Sequence, residues 1–203
     1  MAIIQTFAGV RSRFLLGFLT GIESRSTCAR CPKMTELVSW FERKFAFAFP
    51  VELYPNVSAR LRGTPARLEE LVRGFSSEQR TRKSGGKWSI QENVGHLGDL
   101  EPLWIARIAD FLKGVETLTV ADLTNRKTDE ANHNSKPLAV LLERFRSLRS
   151  ELLRSLDGLE AEVYARSALH PRLKTPMRLV DHLYFIAEHD DHHLARIWEL
   201  GRL

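Results

Sequence analysis

Ser89-Ile90-Gln91-Glu92-Asn93-Val94-Gly95-His96-Leu97 is the stretch on which the fold turns. Ser89 followed three positions later by Glu92 is a capping box, in which each side chain satisfies a free backbone N–H of the other at a helix start. Trp88 lies just outside it. Behind it Val94, Leu97, Leu100, Leu103, Trp104, Ile108 and Phe111 recur at helical spacing to about Leu112, ahead of Gly114. His96 falls at the edge of that apolar stripe.

Working outward, Val57, Leu61, Leu68, Val72 and Phe75 predict an earlier helix over about 53–75. Pro65 should kink or restart it, with Thr64 as the cap. Residues 76–87 are polar, carry Gly85-Gly86 and read as a connection, and residues 34–50 are either a short helix or extended chain. On the other side, a connection over about 114–136 is rich in polar groups. Pro137 then opens a third helix over about 137–157, stopped by Gly158, with Leu138, Leu141, Phe145, Leu148, Leu152 and Leu156 spaced like a bundle seam. A fourth covers about 176–199, with Thr175 as cap, Pro176 in its first turn and Gly201 at its end. Four amphipathic helices without a convincing alternating strand predict an all-α four-helix bundle. The long connection between the second and third is able to cross the bundle, which argues against a simple up-down-up-down order.

Composition narrows the function classes. The chain has 203 residues, enough for one domain with a substantial core. Its net charge of +5 is uneven: residues 1–33 hold Arg11, Arg13, Arg25, Arg30 and Lys33 against Glu23, leaving a nearly balanced body over 34–203. A duplex-binding domain should keep its positive field on the folded body. Arg144, Arg146, Arg149 and Arg154 make a modest strip, but Glu143, Glu151 and Asp157 interrupt it, so no nucleic-acid partner is expected. The leader run Phe14-Leu15-Leu16-Gly17-Phe18-Leu19 is too short for a membrane span and has a poor cleavage context, so no membrane partner is expected either. Met34 as the true start is an equal reading of residues 1–33. Cys28 and Cys31 lack a second pair to complete a zinc knuckle, and sparse cysteine points to a reducing cytoplasm.

The chemistry lies in the fourth helix, which contains His182, His189, His192 and His193. At about 100° per residue, His193 sits roughly 40° around from His189 and one turn along, so the two imidazoles can meet one ion. His192 lies about 60° to the other side and competes for the role. His182 shares the His189 face but is roughly 10 Å away along the axis. A third ligand must come from another helix, and His96 is the natural candidate. Glu92 and Asp99 share its side and can complete the shell or hold an imidazole in its tautomer. Asp190 and Asp191 are expected to face solvent or to adjust neighbouring charge. A dense histidine group also reads as a solvated helix end, and a lone His96 as an ordinary satisfied histidine. Zinc-peptidase spacing is missing, because Asp190 stands where a glutamate should follow the first histidine.

Gly86-Lys87-Trp88-Ser89-Ile90-Gln91-Glu92-Asn93-Val94-Gly95-His96-Leu97 and Glu188-His189-Asp190-Asp191-His192-His193-Leu194-Ala195-Arg196-Ile197 resemble the second- and fourth-helix signatures of the DinB-like, or YfiT-like, superfamily. The resemblance covers about residues 52–200. It implies an up-up-down-down four-helix bundle, commonly a homodimer, and a divalent metal, zinc or nickel first and iron or manganese next, held by His96, His189 and His193. His192 then sits beside the ligands, in a supporting role with Glu92 and Asp99. The better understood relatives resemble transferases and isomerases using low-molecular-weight thiols, and many others are called metal-dependent hydrolases. The expectation is a metal-dependent enzyme that activates a thiol or water on a small-molecule substrate, with Asn125, Lys127, His133 and Arg172 as weaker pocket candidates. The competing reading is a non-catalytic metal-binding or stress-response protein.

Overall fold

The computed structural model describes residues 37–202. The leader over 1–33, the Cys28/Cys31 pair and the Met34 start therefore lie outside the described residues. Seven helices and one hairpin follow in order: α1 (Tyr54–Val72), α2 (Ser77–Thr81), α3 (Ile90–Lys113), α4 (Arg126–Glu130), α5 (Leu138–Arg154), α6 (Ala161–Tyr164), β1 (Ser167–His170), β2 (Thr175–Arg178) and α7 (Leu179–Leu200). The four long ones, α1, α3, α5 and α7, form the bundle. In it α1 packs on α5 and α7, and α3 packs on the same two helices from the opposite corner.

The capping box that opens α3 is present, with Glu92 N donating to Ser89 Oγ at 3.1 Å and Ser89 N donating to Glu92 Oε2 at 2.8 Å. Gly114 closes the helix in the left-handed region at φ 69°, a conformation that only glycine adopts cheaply. Elsewhere local signals were overridden. Pro65 does not restart a helix, and Thr64 is not a cap. α1 runs through both, because the carbonyl that Pro65 leaves without its usual N–H, that of Leu61, accepts instead from Arg149 Nη1 at 3.1 Å. The segment expected as a bare connection contains α2, opened by a second capping box between Ser76 and Gln79.

The start of α7 also differs from expectation. Thr175 and Pro176 lie in β2, which pairs antiparallel with β1 in the register Ser167 to Arg178 and His170 to Thr175. The helix begins only after Arg178, whose backbone N–H donates to Asp181 Oδ2 at 2.9 Å. Pro176 is tolerated because a two-stranded ribbon leaves strand positions without ladder partners. Gly201 is not a left-handed stop, since its φ is −68°. A side chain there would meet the Phe75 ring at 2.1 Å.

Two apolar clusters occupy the two ends of the bundle. One holds Leu61, Trp104, Leu152 and Ile186; the other holds Leu68, Leu97, Phe145 and Ile197. Along α1 and α7 the chain passes from the first cluster to the second, and along α3 and α5 from the second to the first. The long helices therefore run up, down, down, up, not up-up-down-down. Consecutive parallel helices α3 and α5 require the intervening chain to return the length of the bundle, which is what the long connection after Gly114 does. Along α7, Phe185 and Leu194 are core, while Trp198 is 46% exposed. No described helix is long and apolar enough to cross a membrane.

Between the clusters lies a polar layer. Arg149, 1% exposed, bridges Glu101 (Nη2 to Oε1, 2.6 Å) and Asp190 (Nη1 to Oδ2, 2.6 Å). Thr64 Oγ1 lies 2.9 Å from the same Asp190 oxygen. Asp190 is thus fully buried, against the expectation that it faces solvent, because a buried guanidinium needs a carboxylate. Asp191, half-exposed, pairs with Arg60 and Arg67. The α5 arginine strip is largely engaged within the protein: Arg144 pairs with Asp99, Arg146 with Glu69, and Arg149 lies in the core.

Candidate metal centre

His96 from α3 and His189 and His193 from α7 meet at the edge of this polar layer. All three are buried, and each offers one ligand nitrogen within 4.8 Å of the others. The Nε2 atoms of His189 and His193 are 3.2 Å apart. Two imidazole nitrogens on one tetrahedral zinc would be about 3.4 Å apart.

The orientation of two rings is set from behind. Asn93 Nδ2 donates to Ser89 O at 2.8 Å, which turns its Oδ1 toward His193 Nδ1, also 2.8 Å away. His193 therefore carries its proton on Nδ1 and directs the Nε2 lone pair at the cluster. Thr128 Oγ1 donates to Asp99 Oδ2 at 3.0 Å and so accepts from His96 Nδ1, likewise at 3.0 Å. His96 is left in the same tautomer. Burial holds His96 down to about 4, against the pull of Asp99. Burial and the neighbouring rings push His189 and His193 well below the ordinary imidazole range. All three are neutral at neutral pH, the state a metal ligand requires. Converging neutral nitrogens with lone pairs inward fit a divalent cation.

Asp99 organises the support without reaching the cluster. Burial opposes its charge, but bonds from His133, Thr128 and Arg144 outweigh burial and keep the carboxyl below its usual range. His133 Nε2 is 2.7 Å from Oδ2 and Arg144 Nη1 is 2.9 Å from Oδ1. His133, expected as a pocket contact, lies instead against the backbone of α3. A Cβ at Gly95 would sit 2.3 Å from its ring, so the glycine in the α3 motif is the space His133 occupies.

The other expected site residues are placed as follows. Glu92 does not reach an imidazole, since its oxygens are taken by Ser89 N and, at 2.8 Å, by Lys83 Nζ. His192 is half-buried, edge-on to His193 with ring centroids 5.3 Å apart, and turned toward Trp40. Lys127 Nζ donates to Asp99 O at 3.1 Å. Asn125 adopts φ 56° at the start of α4 and makes no side-chain cap there. Arg172 stands in the β1–β2 turn, its guanidinium over Phe185 at 5.7 Å. His182 is enclosed by Trp104, Phe111 and Phe185.

Sequence reasoning gave no site role to Asn93, Trp40 or Trp88, and placed Thr128 only among the polar groups of the connection over about 114–136, as part of a candidate pocket lip. Asn93 was detectable, lying one turn before His96 on the same helix. Thr128 sits in a connection with no period to reveal it. Trp88 packs on His96 with centroids 4.5 Å apart, and Trp40 and Trp104 meet His189 edge-on at 5.0 and 5.7 Å. The imidazoles are therefore walled by aromatic rings.

Comparison with known proteins agrees with this architecture. A solved structure described as "YfiT from Bacillus subtilis is a probable metal-dependent hydrolase with an unusual four-helix bundle topology" superposes with a TM-score of 0.70 at 22% identity, covering 79% of this chain and 93% of that one. No curated protein matches. The family profile described as DinB superfamily matches residues 60–197, which take in α3 and α5, most of α1 and α7, and the three histidines. The chain belongs to the DinB superfamily.

Proposed function

We propose that this protein is a metal-dependent enzyme in which His96, His189 and His193 hold one divalent ion, zinc or nickel in the first instance. The observation that carries the reading is the enforced tautomer of two rings: Asn93 and Thr128 occupy the outer nitrogens and leave Nε2 of His193 and His96 to face His189. A histidine held only for packing needs no such orientation.

An ion there supplies Lewis acidity, which activates a water or a thiol. The residues of the chain do the remainder. Asp99, acting through Thr128, holds the His96 ring and raises its basicity. Trp40, Trp88 and Trp104 keep the centre dry, which strengthens every charge interaction in it. The reaction class is hydrolysis or transfer of a low-molecular-weight thiol on a small-molecule substrate. The hydrolytic branch is supported by the description of the YfiT structure. A homodimer in the cytoplasm completes the reading. Turnover of ester, amide and thiol-plus-electrophile panels by zinc- and nickel-loaded protein tests it. Activity abolished by His193→Ala is the expected result. Full metal occupancy with no turnover on any panel would instead favour the non-catalytic metal-binding alternative.

A further inference from the structure

Beside the imidazole cluster lies a region with surplus donors and, among the described residues, no carboxylate in direct contact with them. Arg107 is 1% exposed, and its polar contacts among the described residues are Nε to Thr119 O at 2.8 Å and Nη1 to His170 Nε2 at 3.0 Å. Among the described residues no acidic side chain lies in ion-pair distance of it. Asp110, three residues on, favours its charge from longer range while bonding to Thr119. Arg172, half-buried in the β1–β2 turn, has its Nη2 enclosed and without a partner among the described residues. His182 is completely buried with neither ring nitrogen partnered. His170 meets donors at both nitrogens, Arg107 at Nε2 and the Leu173 N–H at Nδ1 at 3.1 Å, although a neutral imidazole has only one acceptor.

These groups belong to one place. The His170 ring is 5.1 Å from Phe185, and the Arg172 guanidinium is 5.7 Å from the same ring. Phe185 precedes His189 by one helical turn. The Arg107 guanidinium lies 5.6 Å over Trp104, whose ring is 5.7 Å from His189. The Arg107 guanidinium thus stands one aromatic ring away from the candidate metal centre, and Arg172 packs on a ring one helical turn from it. The region reaches the surface at Arg172, whose outer neighbour Phe41 is 52% exposed. A buried cation without an ion-pair partner costs several kcal/mol, and an anion reaching Arg107 beside the half-buried Arg172 would offset that cost. A second cation site is excluded by the same charges.

We infer that Arg107 and Arg172 form a subsite for an oxyanion borne by the substrate, a carboxylate or a phosphate, which aims the rest of that molecule at the three histidines. The substrate class is therefore an anionic small molecule. This rests on the proposed reading of the histidine cluster as an active site, but anion binding itself requires neither metal nor turnover.

The test is thermal unfolding of the full chain, metal-free and zinc-loaded, with millimolar succinate, with inorganic phosphate and with sodium chloride at matched ionic strength. Wild type should show a saturable rise in Tm with succinate or phosphate and none with chloride, the stronger of the two naming the group. Arg172→Met should weaken that binding about tenfold or more. Arg107→Met, which replaces an unpaired buried cation by an apolar chain of similar length, should melt at or above wild type without anion and no longer respond to it. Arg154→Met, on exposed α5 surface, should respond as wild type. An equal response in all four proteins, or none in wild type, overturns the subsite. So does an Arg107→Met variant that melts well below an unresponsive wild type, since the arginine is then structural. Zinc uptake without anion binding sinks this inference alone; anion binding without zinc uptake sinks the metal reading and leaves the subsite standing.

Discussion

Arg149 and Arg107 are both 1% exposed, yet the protein treats them in opposite ways. Arg149 is held by two carboxylates and by the carbonyl that Pro65 frees. Arg107 has one carbonyl and one imidazole. The first arrangement satisfies itself and locks α1, α3, α5 and α7 in register across the polar layer. The second has no direct ion-pair partner among the described residues and is where the proposed oxyanion would bind. Buried charge serves architecture where its counter-charge is built in, and recognition where it is not.

The sharpest way to break that contrast is at Arg149. Arg149→Met strands Glu101 and Asp190 in the core and should cost about 3–5 kcal/mol, read as a fall in the urea midpoint. A cost as small as that of Arg107→Met would erase the distinction between the two arginines.

Glu101 sharpens the same comparison through pH. Burial, partly offset by Arg149, raises its pKa from 4.5 to about 7. The folded state therefore binds this proton more tightly than the unfolded chain. The contribution to stability is fully present below about 4.5 and is lost as pH rises through about 7, up to about 3 kcal/mol in all. The buried histidines act with the opposite sign. His96 and His192, lowered to about 4, and His170, lowered to about 3, cost stability as pH falls below 6.5. In metal-free protein the histidines outnumber Glu101, so acid should destabilise. Glu101→Gln should make that loss steeper between pH 7 and 5, and an unchanged slope would show that Glu101 does not take up the proton.

Smaller effects are expected at the supports of His96. Gly95→Ala places a methyl group against His133 and should cost about 1–3 kcal/mol, with the His133 ring displaced in a structure of the variant. Asp99→Asn loses the ionic anchor of Thr128, His133 and Arg144 and should weaken zinc affinity about 10–100-fold, as loss of an outer partner of a ligating histidine commonly does. Unchanged zinc affinity in Asp99→Asn would leave that carboxylate a purely structural role.

What the sequence made legible followed from local physics. The capping box at Ser89, the periodicity of α3 and α5, and the one-turn spacing of His189 and His193 all report interactions within about four residues. The failures came where distant groups override local preference. Pro65 looked like a break because Arg149, more than eighty positions away, was invisible as the donor to Leu61. Asp190 looked solvent-facing for the same reason. Thr175 and Pro176 looked like a helix start because a four-residue partner strand leaves too short an alternation to notice. The up-down-down-up order depends on which end of the bundle the long connection returns to, and no residue pattern encodes that.

One ion at three imidazoles is the proposed centre, and metal stoichiometry measures it directly. Metal-free protein titrated with zinc and analysed for bound metal after dialysis should take up one equivalent per chain. His96→Ala, His189→Ala and His193→Ala should each lose it while keeping wild-type helical content, and His182→Ala should retain it. Uptake that survives all three ligand substitutions, or no uptake by the folded wild type, would contradict the assignment of this centre.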